Sequence, residues 1–562
     1  MTEINPVIFE LLKNRGVCSE ADALEFLSDS PKKTYSPFLL KGMEEAVDMI
    51  EKHIKKGSRI CIYGDYDADG VTSVTLVLTA LSRLTDNLSY YIPSRFGEGY
   101  GLNKEAVDIL KSDGTDLIIT VDCGSVSYEE VEYAKQCGMD VVVTDHHSIT
   151  DKKADCILVN PKQPGCTYPF DGLAGVGVAF KLVQAMTKKE ILPRSVLGEV
   201  LDLVAIGTIG DIVPLVDENR TLVKFGLKQI RSGAREGLAA LIRETGLKIH
   251  EIKSENVAFV IVPHINAAGR LEDASYGVKL LLKDKKLAGL GISEGAKAPA
   301  ATEGELVKIL MDCNKKRKDI QEETFQRCIA DVDEEHLPDI LILRQQDAHE
   351  GITGIVAGKL KEKFYRPSLI LTPVAEDDSL LKGTGRSVPG INLYELLKNG
   401  EEFFVKFGGH AGACGFTIEE KNFDAFCKKI KDALAELIAK EPEILSPGSR
   451  AEMEIKPGQI TMELASEIEK LAPFGAANPQ PVFEIKGMTA ERPFMMGTAR
   501  NHMKMNLKSG GTDIQAVLFG RAKEYENILR DGNRVDVEAS LEISEWNGNT
   551  RLQLVLSDAR KA

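Results

Sequence analysis

Four short segments within the first 211 residues concentrate aspartate and histidine. They are residues 64–70 (GDYDADG), 121–124 (VDCG), 145–147 (DHH) and 210–211 (GD). Carboxylate oxygens with one or two imidazoles can hold two divalent cations close together, and such a pair hydrolyses a phosphodiester with a metal-activated water. A stable core needs no such group of carboxylates, because without cations they repel one another. The segments therefore predict a metal-dependent phosphodiester hydrolase.

The first segment has one competing interpretation. An EF-hand loop also begins Asp-x-Asp-x-Asp-Gly, but the twelfth residue counted from Asp65 is Leu76, where that loop needs a bidentate glutamate. A predicted strand, rather than a helix, also precedes the segment. We expect its three aspartates to lie on one side of an extended stretch, with Gly70 turning the chain into a helix.

The third segment contains two adjacent histidines, His146 and His147. At the end of a strand they cannot both point at one atom, so one can bind a metal while the other faces the substrate. An isolated pair is more often two surface histidines, but here an apolar strand and Asp145 precede it. Asp122 and Asp211 gain weight only as members of the set, because DCG and GD are common turn sequences.

Short apolar runs at residues 59–63, 117–121 and 139–144 are the predicted strands that deliver these segments. Helices are predicted at 71–84 and 128–137, and the repeated order of strand, acidic loop and helix indicates a parallel sheet. Open α/β sheets place their sites at the carboxyl ends of the strands. We expect all four acidic segments to lie at such strand ends.

Glycine-rich segments supply further candidates. Residues 93–101 are basic and aromatic and can cradle a sugar-phosphate, although an ordinary turn is equally consistent with them. Residues 266–270 present an amide and a guanidinium, and residues 382–387 and 408–415 are expected to be loops whose bare N–H groups form an anion nest. The segment 175–180 (GVGVAF) lacks the third glycine of a dinucleotide fingerprint, so we interpret it as helix packing. The candidate substrate-binding residues are Arg95, Tyr100, Asn266, Arg270, Thr384, Arg386, Ser387 and His410.

The order of predicted elements divides the chain into five parts. A charged stretch at 303–326 is long enough for a helix between lobes, and a Pro-rich linker at 441–449 precedes five or more short strands, which suggest an OB-type barrel. The predicted parts are an N-terminal helical segment (1–56), a catalytic α/β domain (57–300), a connecting helix (301–332), a second α/β domain (333–440) and the barrel (447–562).

Length and composition bound the class of protein. At 562 residues we expect three or four domains, and 43% hydrophobic with 28% charged residues is ordinary for a soluble globular protein. There is no apolar leader and no apolar run of roughly 18 residues, so we expect no membrane span. Ten cysteines without a CxxC pair are expected to be reduced thiols in the cytoplasm. The net charge of −15 argues against a nonspecific nucleic-acid binder, but it permits an enzyme with a local basic groove.

The four acidic segments, in this order, resemble the motifs of the DHH phosphoesterase superfamily. Residues 266–270 (NAAGR) and 408–415 (GGHAGACG) are similar to its accessory DHHA1 domain and the approach to it. With residues 384–387 (TGRS) and the barrel, which includes 471–483 (LAPFGAANPQPVF), nearly the whole chain resembles the RecJ family of single-strand-specific exonucleases. Short DHH pyrophosphatases and oligoribonucleases lack the barrel, and membrane-bound DHH phosphodiesterases carry transmembrane helices.

The resemblance implies a fold, a reaction and partners. The fold is α/β: a parallel-sheet DHH domain joined by a long helix to a smaller α/β DHHA1 domain, plus a C-terminal OB-type barrel. The reaction is two-metal hydrolysis of single-stranded DNA from the 5′ end to mononucleotides, with two Mn²⁺ or Mg²⁺ ions, in DNA repair and recombination. The implied partners are single-stranded DNA, a single-strand-binding protein and a helicase, and the protein would be a cytoplasmic monomer.

The resemblance also implies roles for individual residues. Asp122 would bridge the two cations, His147 would face the scissile phosphate, and Asp65 would support the cluster, directly or through water. The implied metal ligands are Asp67, Asp69, Asp122, His146 and Asp211.

Phosphate-binding positions of the family are matched by Arg270, Arg386 and His410, and the two arginines would fix the DNA 5′ end. Two positions depart from relatives. Tyr63 stands where the pyrophosphatases have a ligand histidine, a departure that is itself RecJ-like and suggests an asymmetric metal pair. Ala348 stands where RecJ proteins often carry tryptophan, so the resemblance does not imply base stacking there. Two alternatives stay open: a DHH phosphodiesterase acting on short oligonucleotides or signalling nucleotides, and a non-catalytic single-strand-binding protein.

Overall fold

Helices form the start of the chain. The computed structural model describes residues 4–95, 98–99, 101–149, 152–293, 301–374, 377–546 and 549–562. The first helices are α1 (Pro6–Asn14), α2 (Glu20–Leu27) and α3 (Met43–Lys56). Apolar residues of α1 and α2 pack into the core of the C-terminal barrel, whereas those of α3 pack against the first sheet. The N-terminal helices therefore contribute to two different cores.

A five-stranded parallel sheet follows. Its strands are β1 (Ile60–Tyr63), β2 (Leu88–Tyr91), β3 (Leu117–Val121), β4 (Asp140–Thr144) and β5 (Ile157–Val159). They lie in the order β2-β1-β3-β4-β5. The intervening helices are α4 (Ala68–Leu81), α5 (Lys104–Ser112) and α6 (Tyr128–Gln136). Every residue of β1, β2 and β3 is buried, because both faces of the sheet are covered, and this explains their continuous apolar sequences.

A layer of helices completes the first α/β domain and leads out of it. They are α7 (Gly175–Lys188), α8 (Ser195–Gly210), α9 (Asp217–Arg231), α10 (Glu236–Glu244), α11 (Ser254–Asn256), α12 (Val262–Leu271) and α13 (Ser275–Leu281), with one π-helical turn at Val257–Ile261. The 28-residue helix α14 (Glu303–Ala330) then connects to the second domain. Its N-cap Thr302 and Glu305 form a reciprocal capping box, which fixes where it begins.

The prediction that all four acidic segments follow strands is wrong for the fourth. Asp211 is the C-cap of helix α8. This helix packs against α4, α7 and α9 and is apolar on almost every side. Hydrophobic periodicity does not distinguish such a buried helix from a buried strand.

The second α/β domain contains a five-stranded mixed sheet. Its elements are β6 (Leu341–Arg344), α15 (Glu350–Phe364), β7 (Ser368–Val374), β8 (Asp377–Arg386), α16 (Leu393–Lys398), β9 (Phe404–His410), β10 (Ala413–Glu419) and α17 (Phe423–Lys440). The strand order is β6-β7-β8-β10-β9, and only β6 and β7 are parallel.

The expectation that residues 382–387 and 408–415 are nest-forming loops is wrong. Residues 382–386 lie in β8, 408–410 in β9 and 413–415 in β10, and residues 411–412 form the turn between the last two strands, so most of these backbone groups are paired within the sheet. The glycines serve packing, because a Cβ on Gly383 would lie 2.3 Å from the ring of Phe416 and one on Gly385 would lie 2.4 Å from Leu369.

The last domain is a closed barrel of OB type. Its elements are β11 (Met453–Glu454), α18 (Met462–Glu469), β12 (Phe483–Met496), β13 (His502–Ser509), β14 (Thr512–Leu518), α19 (Ala522–Tyr525), β15 (Arg534–Trp546) and β16 (Asn549–Lys561). Pairing of β12 with β15 closes the five long strands. Several strands are longer than their apolar runs predict, because they continue past the barrel core. Within the part of the chain described, no helix has both the length and the apolar character needed to cross a bilayer.

Candidate active site

The predicted metal ligands meet at the carboxyl edge of the first sheet. Three groups of side chains have ligand atoms within 4.8 Å of one another. They are Asp122 with His146 and His147, Asp69 with His146 and Asp211, and Asp65 with Asp67 and Asp122. The groups share His146 and Asp122, so the cluster offers adjacent positions for two cations. The structure thus brings together every residue for which sequence analysis predicts a metal or catalytic role.

The first acidic segment reaches the cluster through a helix start rather than an extended strand. Strand β1 ends at Tyr63, and Asp67 is the N-cap of α4, with its Oδ1 accepting the N–H groups of Asp69 (2.9 Å) and Gly70 (3.1 Å). A Cβ on Gly70 would lie 2.4 Å from the carbonyl oxygen of Asp65, so this turn requires glycine. The predicted alternation along an extended stretch is therefore corrected to a capped helix turn.

Asp69 is held by the start of another helix. Its carboxylate accepts the N–H groups of Gly175 (2.7 Å) and Val176 (2.9 Å) at the first turn of α7. A Cβ on Gly175 would lie 2.5 Å from Oδ1 of Asp122, and one on Gly207 of α8 would lie 2.7 Å from Oδ1 of Asp69. These glycines let two helices approach the carboxylates. The sequence of residues 175–180 predicts helix packing, but it does not reveal their contact with the acidic cluster.

Burial and mutual repulsion disfavour the ionised carboxylates. Burial, with the charge of Asp67, raises the pKa of Asp65 to about 8 and that of Asp69 to about 7. Burial and then the charge of Asp69 raise the pKa of Asp211 to about 8, and the pKa of Asp122 lies well above its ordinary value for the same reasons. Cations are the natural way to relieve this repulsion.

The donor set fits divalent cations. Nε2 of His146 lies 3.2 Å from Oδ1 of Asp122 and 3.5 Å from Oδ2 of Asp211. Burial, followed by the charge of His147, lowers the pKa of His146 to about 3, so the imidazole is neutral and can bind a metal. Within the described residues, His146 Nε2 and Asp65 Oδ1 are buried and form no hydrogen bond. Oxygen ligands with one imidazole suit Mn²⁺ or Mg²⁺.

Asp145 orients the second histidine. Its Oδ1 accepts the backbone N–H groups of His146 (2.7 Å) and His147 (3.1 Å) and lies 2.8 Å from Nδ1 of His147, while Oδ2 accepts the N–H of Ser125 (2.9 Å). Burial lowers the pKa of His147, but the bond to Asp145 and its charge outweigh this effect and raise that pKa to about 9. Asp145 therefore favours the protonated form of His147, which lines the cavity beside the cluster.

The cavity in front of the cluster has a volume of about 850 Å³. Asp65, Asp67 and His147 line it, as do the predicted phosphate ligands Arg95, Asn266 and Arg270. Residues 474–476 and 479–480 of the last domain and Ile355 of α15 also contribute, so all three domains border it.

Asn266 and Arg270, two of the predicted phosphate-binding residues, are fixed by contacts on one side of the cavity. Asn266 lies on α12, and its Oδ1 accepts the N–H of Ala68 (2.7 Å) at the start of α4. Arg270, on the same helix, donates from Nη1 to the carbonyl oxygen of Gly351 (2.7 Å) and so bridges the first and second domains. The guanidinium of Arg95 stacks on the ring of Tyr66, 4.9 Å from its centroid.

The candidates of the second domain divide into two groups. Arg386 lies beside the start of α15, where a Cβ on Gly354 would be 3.0 Å from its Nη2, and the Thr353 hydroxyl lies 3.3 Å from that of Thr384. Burial, and then the charge of Arg386, lower the pKa of His410.

The hydroxyl of Ser387 instead donates to the carbonyl oxygen of Ile391 (2.8 Å) inside the domain. Tyr100 lies outside the described residues. Two residues of the cavity wall, Arg317 and Phe259, were missed by sequence analysis. A charged helix and an isolated phenylalanine give no local signal of a site.

Three family models match the chain in the order of its domains. They are the DHH family N-terminal domain at residues 59–208, the DHHA1 domain at 338–436 and the RecJ OB domain at 451–558. A parallel sheet with this cluster, followed by a DHHA1 domain, defines a DHH-type phosphoesterase. The predicted boundaries between domains stay predictions.

Curated relatives extend the similarity over the full length. The single-stranded-DNA-specific exonuclease RecJ of Bacillus subtilis (strain 168) is 36% identical over 99% of this chain and 68% of the relative. RecJ of Escherichia coli (strain K12) is 33% identical over 99% of this chain and 96% of the relative. The crystal structure of RecJ in complex with Mn²⁺ from Thermus thermophilus matches with a TM-score of 0.81 at 28% identity, covering 100% of this chain and 76% of that one. This chain belongs to the RecJ family.

Proposed function

We propose that this protein is a metal-dependent exonuclease that degrades single-stranded DNA from its 5′ end to mononucleotides, in DNA repair and recombination. The observation that carries the proposal is a complete Asp/His cluster facing arginines across one cavity, in a chain that belongs to the RecJ family. Neither open alternative accounts for both the acidic cluster and the barrel. A binding protein has no use for the buried carboxylates, and a phosphodiesterase of short substrates has no need for the barrel.

Five side chains would hold the cations. They are Asp67, Asp69, Asp122, His146 and Asp211. Two Mn²⁺ or Mg²⁺ ions, when bound, supply the Lewis acidity that activates water and neutralises charge on the phosphate. Asp122 belongs to two of the three ligand groups, which supports a bridging role, and Asp65 supports the cluster beside Asp67.

His147 and Asp145 act as a unit on the substrate. The protonated imidazole of His147 would donate to a non-bridging oxygen of the scissile phosphate and stabilise the charge that develops there. Asp145 holds the ring by its Nδ1 and keeps it charged. This is the same arrangement by which a carboxylate fixes a catalytic histidine in other hydrolases.

The preference for the 5′ end of the strand would come from the arginines. Arg270 and Arg386 would bind the 5′-terminal phosphate, with Arg95 beside them and Thr384 and His410 at the edge of the same site. A terminal phosphate carries more charge than an internal one, so these cations favour an end over an internal position of the strand. The barrel would bind the part of the strand that lies outside the active site, by stacking and by its basic side chains.

One chain is sufficient for this function. The ligands and arginines described above all belong to one chain, and the protein would act as a monomer. The ten cysteines are free thiols, which supports a reducing compartment such as the cytoplasm. Single strands would reach the enzyme from a helicase or from a single-strand-binding protein.

The test is the degradation of one long oligonucleotide labelled at either end. With Mn²⁺, a 5′ label should appear at once as a mononucleotide, whereas a 3′ label should remain on progressively shorter strands. A duplex and an EDTA-treated sample serve as controls, and Asp122→Ala should be inactive with unchanged circular dichroism. Cleavage of only very short oligomers would favour the signalling-type phosphodiesterase, and retention of the strand without cleavage would favour a binding protein.

A further inference from the structure

The connecting helix contributes a buried cation to the cavity wall. Arg317 of α14 lines the cavity and is only 9% exposed. Its Nε donates to Oδ1 of Asn314 (3.0 Å) and its Nη1 to Oε1 of Gln321 (2.6 Å). Asn314 is itself buried, and its Nδ2 lies 2.9 Å from Nε2 of His264, whose Nδ1 contacts the carbonyl oxygen of Val260 (2.7 Å). Helix α12 therefore fixes the position of Arg317.

The charge of Arg317 is not neutralised by the surrounding protein. Another buried arginine, Arg235, pairs with Asp202 (2.6 Å), but within the described residues no carboxylate lies within ion-pair distance of Arg317. Both of its acceptors are neutral amides. A guanidinium has five N–H groups, and these two bonds use only two of them. A buried cation with spare donors is costly unless it meets an anion, so the arrangement points to an anionic ligand in the cavity.

Arg317 joins the other arginines from a different side. Burial is the main cause that lowers the pKa of Arg270 to about 9, and the charges of Arg95, Arg317 and Arg386 contribute. The pKa of Arg386 is lowered by burial and by Arg95, whereas burial alone lowers that of Arg317. Among the described residues, Arg317 lines the cavity together with Arg270 and with residues 474–476 of the last domain, whereas Arg386 does not line it.

We propose that Arg317 binds a backbone phosphate on the 3′ side of the scissile bond, separate from the phosphate bound at the 5′ end. This inference rests on the proposed function, because it takes the strand direction from it. Asn314 is a positioning residue that acts through Arg317. The contact would tie the connecting helix to the substrate, so that a bound strand holds the first and second domains together.

Substrate length separates this contact from the others. A 5′-phosphorylated dinucleotide has only the terminal and the scissile phosphate, whereas a trinucleotide adds the phosphate assigned to Arg317. The measured quantity is the ratio of kcat/KM for the trinucleotide to kcat/KM for the dinucleotide. Arg317→Gln should lower this ratio about tenfold, the usual effect of losing one charged hydrogen bond. Asn314→Ala should lower it less, and Lys315→Gln, an exposed change on the same helix, should leave it at the wild-type value.

Salt dependence provides an independent readout. Binding of a ten-nucleotide strand is measured in an Asp122→Ala background with Mn²⁺, as log Kd against log salt concentration. Losing one phosphate contact on a single strand should reduce the slope by about 0.7. Arg317→Gln should show this change, while Arg317→Lys, which keeps the charge, and Lys315→Gln should not. Melting temperature and Mn²⁺ titration of each variant verify that the fold and the metal cluster are intact.

The role of Arg317 and the exonuclease function can be refuted separately. An unchanged length ratio and an unchanged salt slope in folded Arg317→Gln would overturn the role of Arg317 and leave the exonuclease proposal standing. If Arg317→Gln does not fold, Arg317→Met, which keeps the apolar stem without the charge, takes its place, and an unchanged length ratio and salt slope in that variant would equally overturn the role of Arg317. A wild-type protein that does not shorten single strands would refute the proposed function, whereas the slope measurement would still report whether Arg317 binds phosphate.

Discussion

Replacing Asp145 by asparagine tests how the charge of His147 is controlled. The buried carboxylate accepts four N–H groups, three of them from the two histidines. An asparagine oxygen can keep the three bonds made by Oδ1, but its amide nitrogen would then face the N–H of Ser125. We expect this to cost about 1–3 kcal/mol of stability, the range for one unsatisfied buried donor. The variant should fold.

The larger effect is on the pKa of His147. The carboxylate is the main reason that this pKa is raised from 6.5 to about 9, so in Asp145→Asn it should fall towards 6.5. With a pKa of about 9 the ring is roughly 90% protonated at pH 8, and with 6.5 only about 3%. If the protonated ring is needed, the variant should lose about thirtyfold in kcat at pH 8 and less than about twofold at pH 6.

The assay is kcat against pH with a 5′-phosphorylated single strand at saturating Mn²⁺. Bound cations lower the pKa of His147 in both proteins. The diagnostic quantity is therefore the difference between the two proteins in the pH at which kcat falls on the alkaline side of the profile, its alkaline limb. Asp140→Asn is the matched control, because Asp140 begins the same strand and binds His53 (2.9 Å) away from the site. Alkaline limbs at the same pH in the two proteins would refute control of the His147 charge by Asp145.

Two further predictions concern the cluster. Without metal, the folded state binds more protons than the unfolded chain from about pH 4 to about pH 8, since the pKa values of Asp65, Asp69 and Asp211 are raised to about 8, 7 and 8. The melting temperature of the metal-free protein should therefore fall as pH rises from about 4.5 to about 6.5, where His147 is protonated in both states, and saturating Mn²⁺ should remove the fall. A persistent fall with Mn²⁺ would contradict the ligand assignment. Gly207→Ala would place a Cβ 2.4 Å from Oγ1 of Thr72, so it should weaken Mn²⁺ binding in a calorimetric titration and cost about 1–3 kcal/mol of stability. Gly198→Ala on the same helix meets no atom within 4 Å and should be neutral or stabilising by up to about 1 kcal/mol.

The sequence predicted those parts of the site that local pattern specifies. Three apolar runs, each followed by an acidic segment, were sufficient to place Asp65, Asp122 and His146 at the carboxyl ends of parallel strands. It failed for Asp211, because a helix buried on all sides has the same apolar density as a buried strand. The two predicted anion nests failed for a related reason, since glycines that make room for Phe416 look the same in sequence as glycines that bare a loop.

Contacts between distant segments explain what was missed. The N–H groups of Gly175 and Val176 bind the carboxylate of Asp69, which is more than a hundred residues away in the sequence. Arg317 is held at the cavity through Asn314 and His264, which connect two helices. Nothing within a window of sequence encodes such a meeting. The residues with the clearest motif were therefore found, whereas those that position them had to be seen in the fold.

The distribution of charge around the cavity has a functional consequence. Among the described residues, the arginines of the cavity form no ion pair with any carboxylate, although the acidic cluster borders the same space. Each set is therefore left to be neutralised from outside: the carboxylates by cations, and the arginines by phosphates. Because either partner alone leaves the other set uncompensated, metal and DNA should each strengthen the binding of the other, which is a reciprocal coupling. This local arrangement, rather than the net charge of −15, determines whether the protein can bind a polyanion.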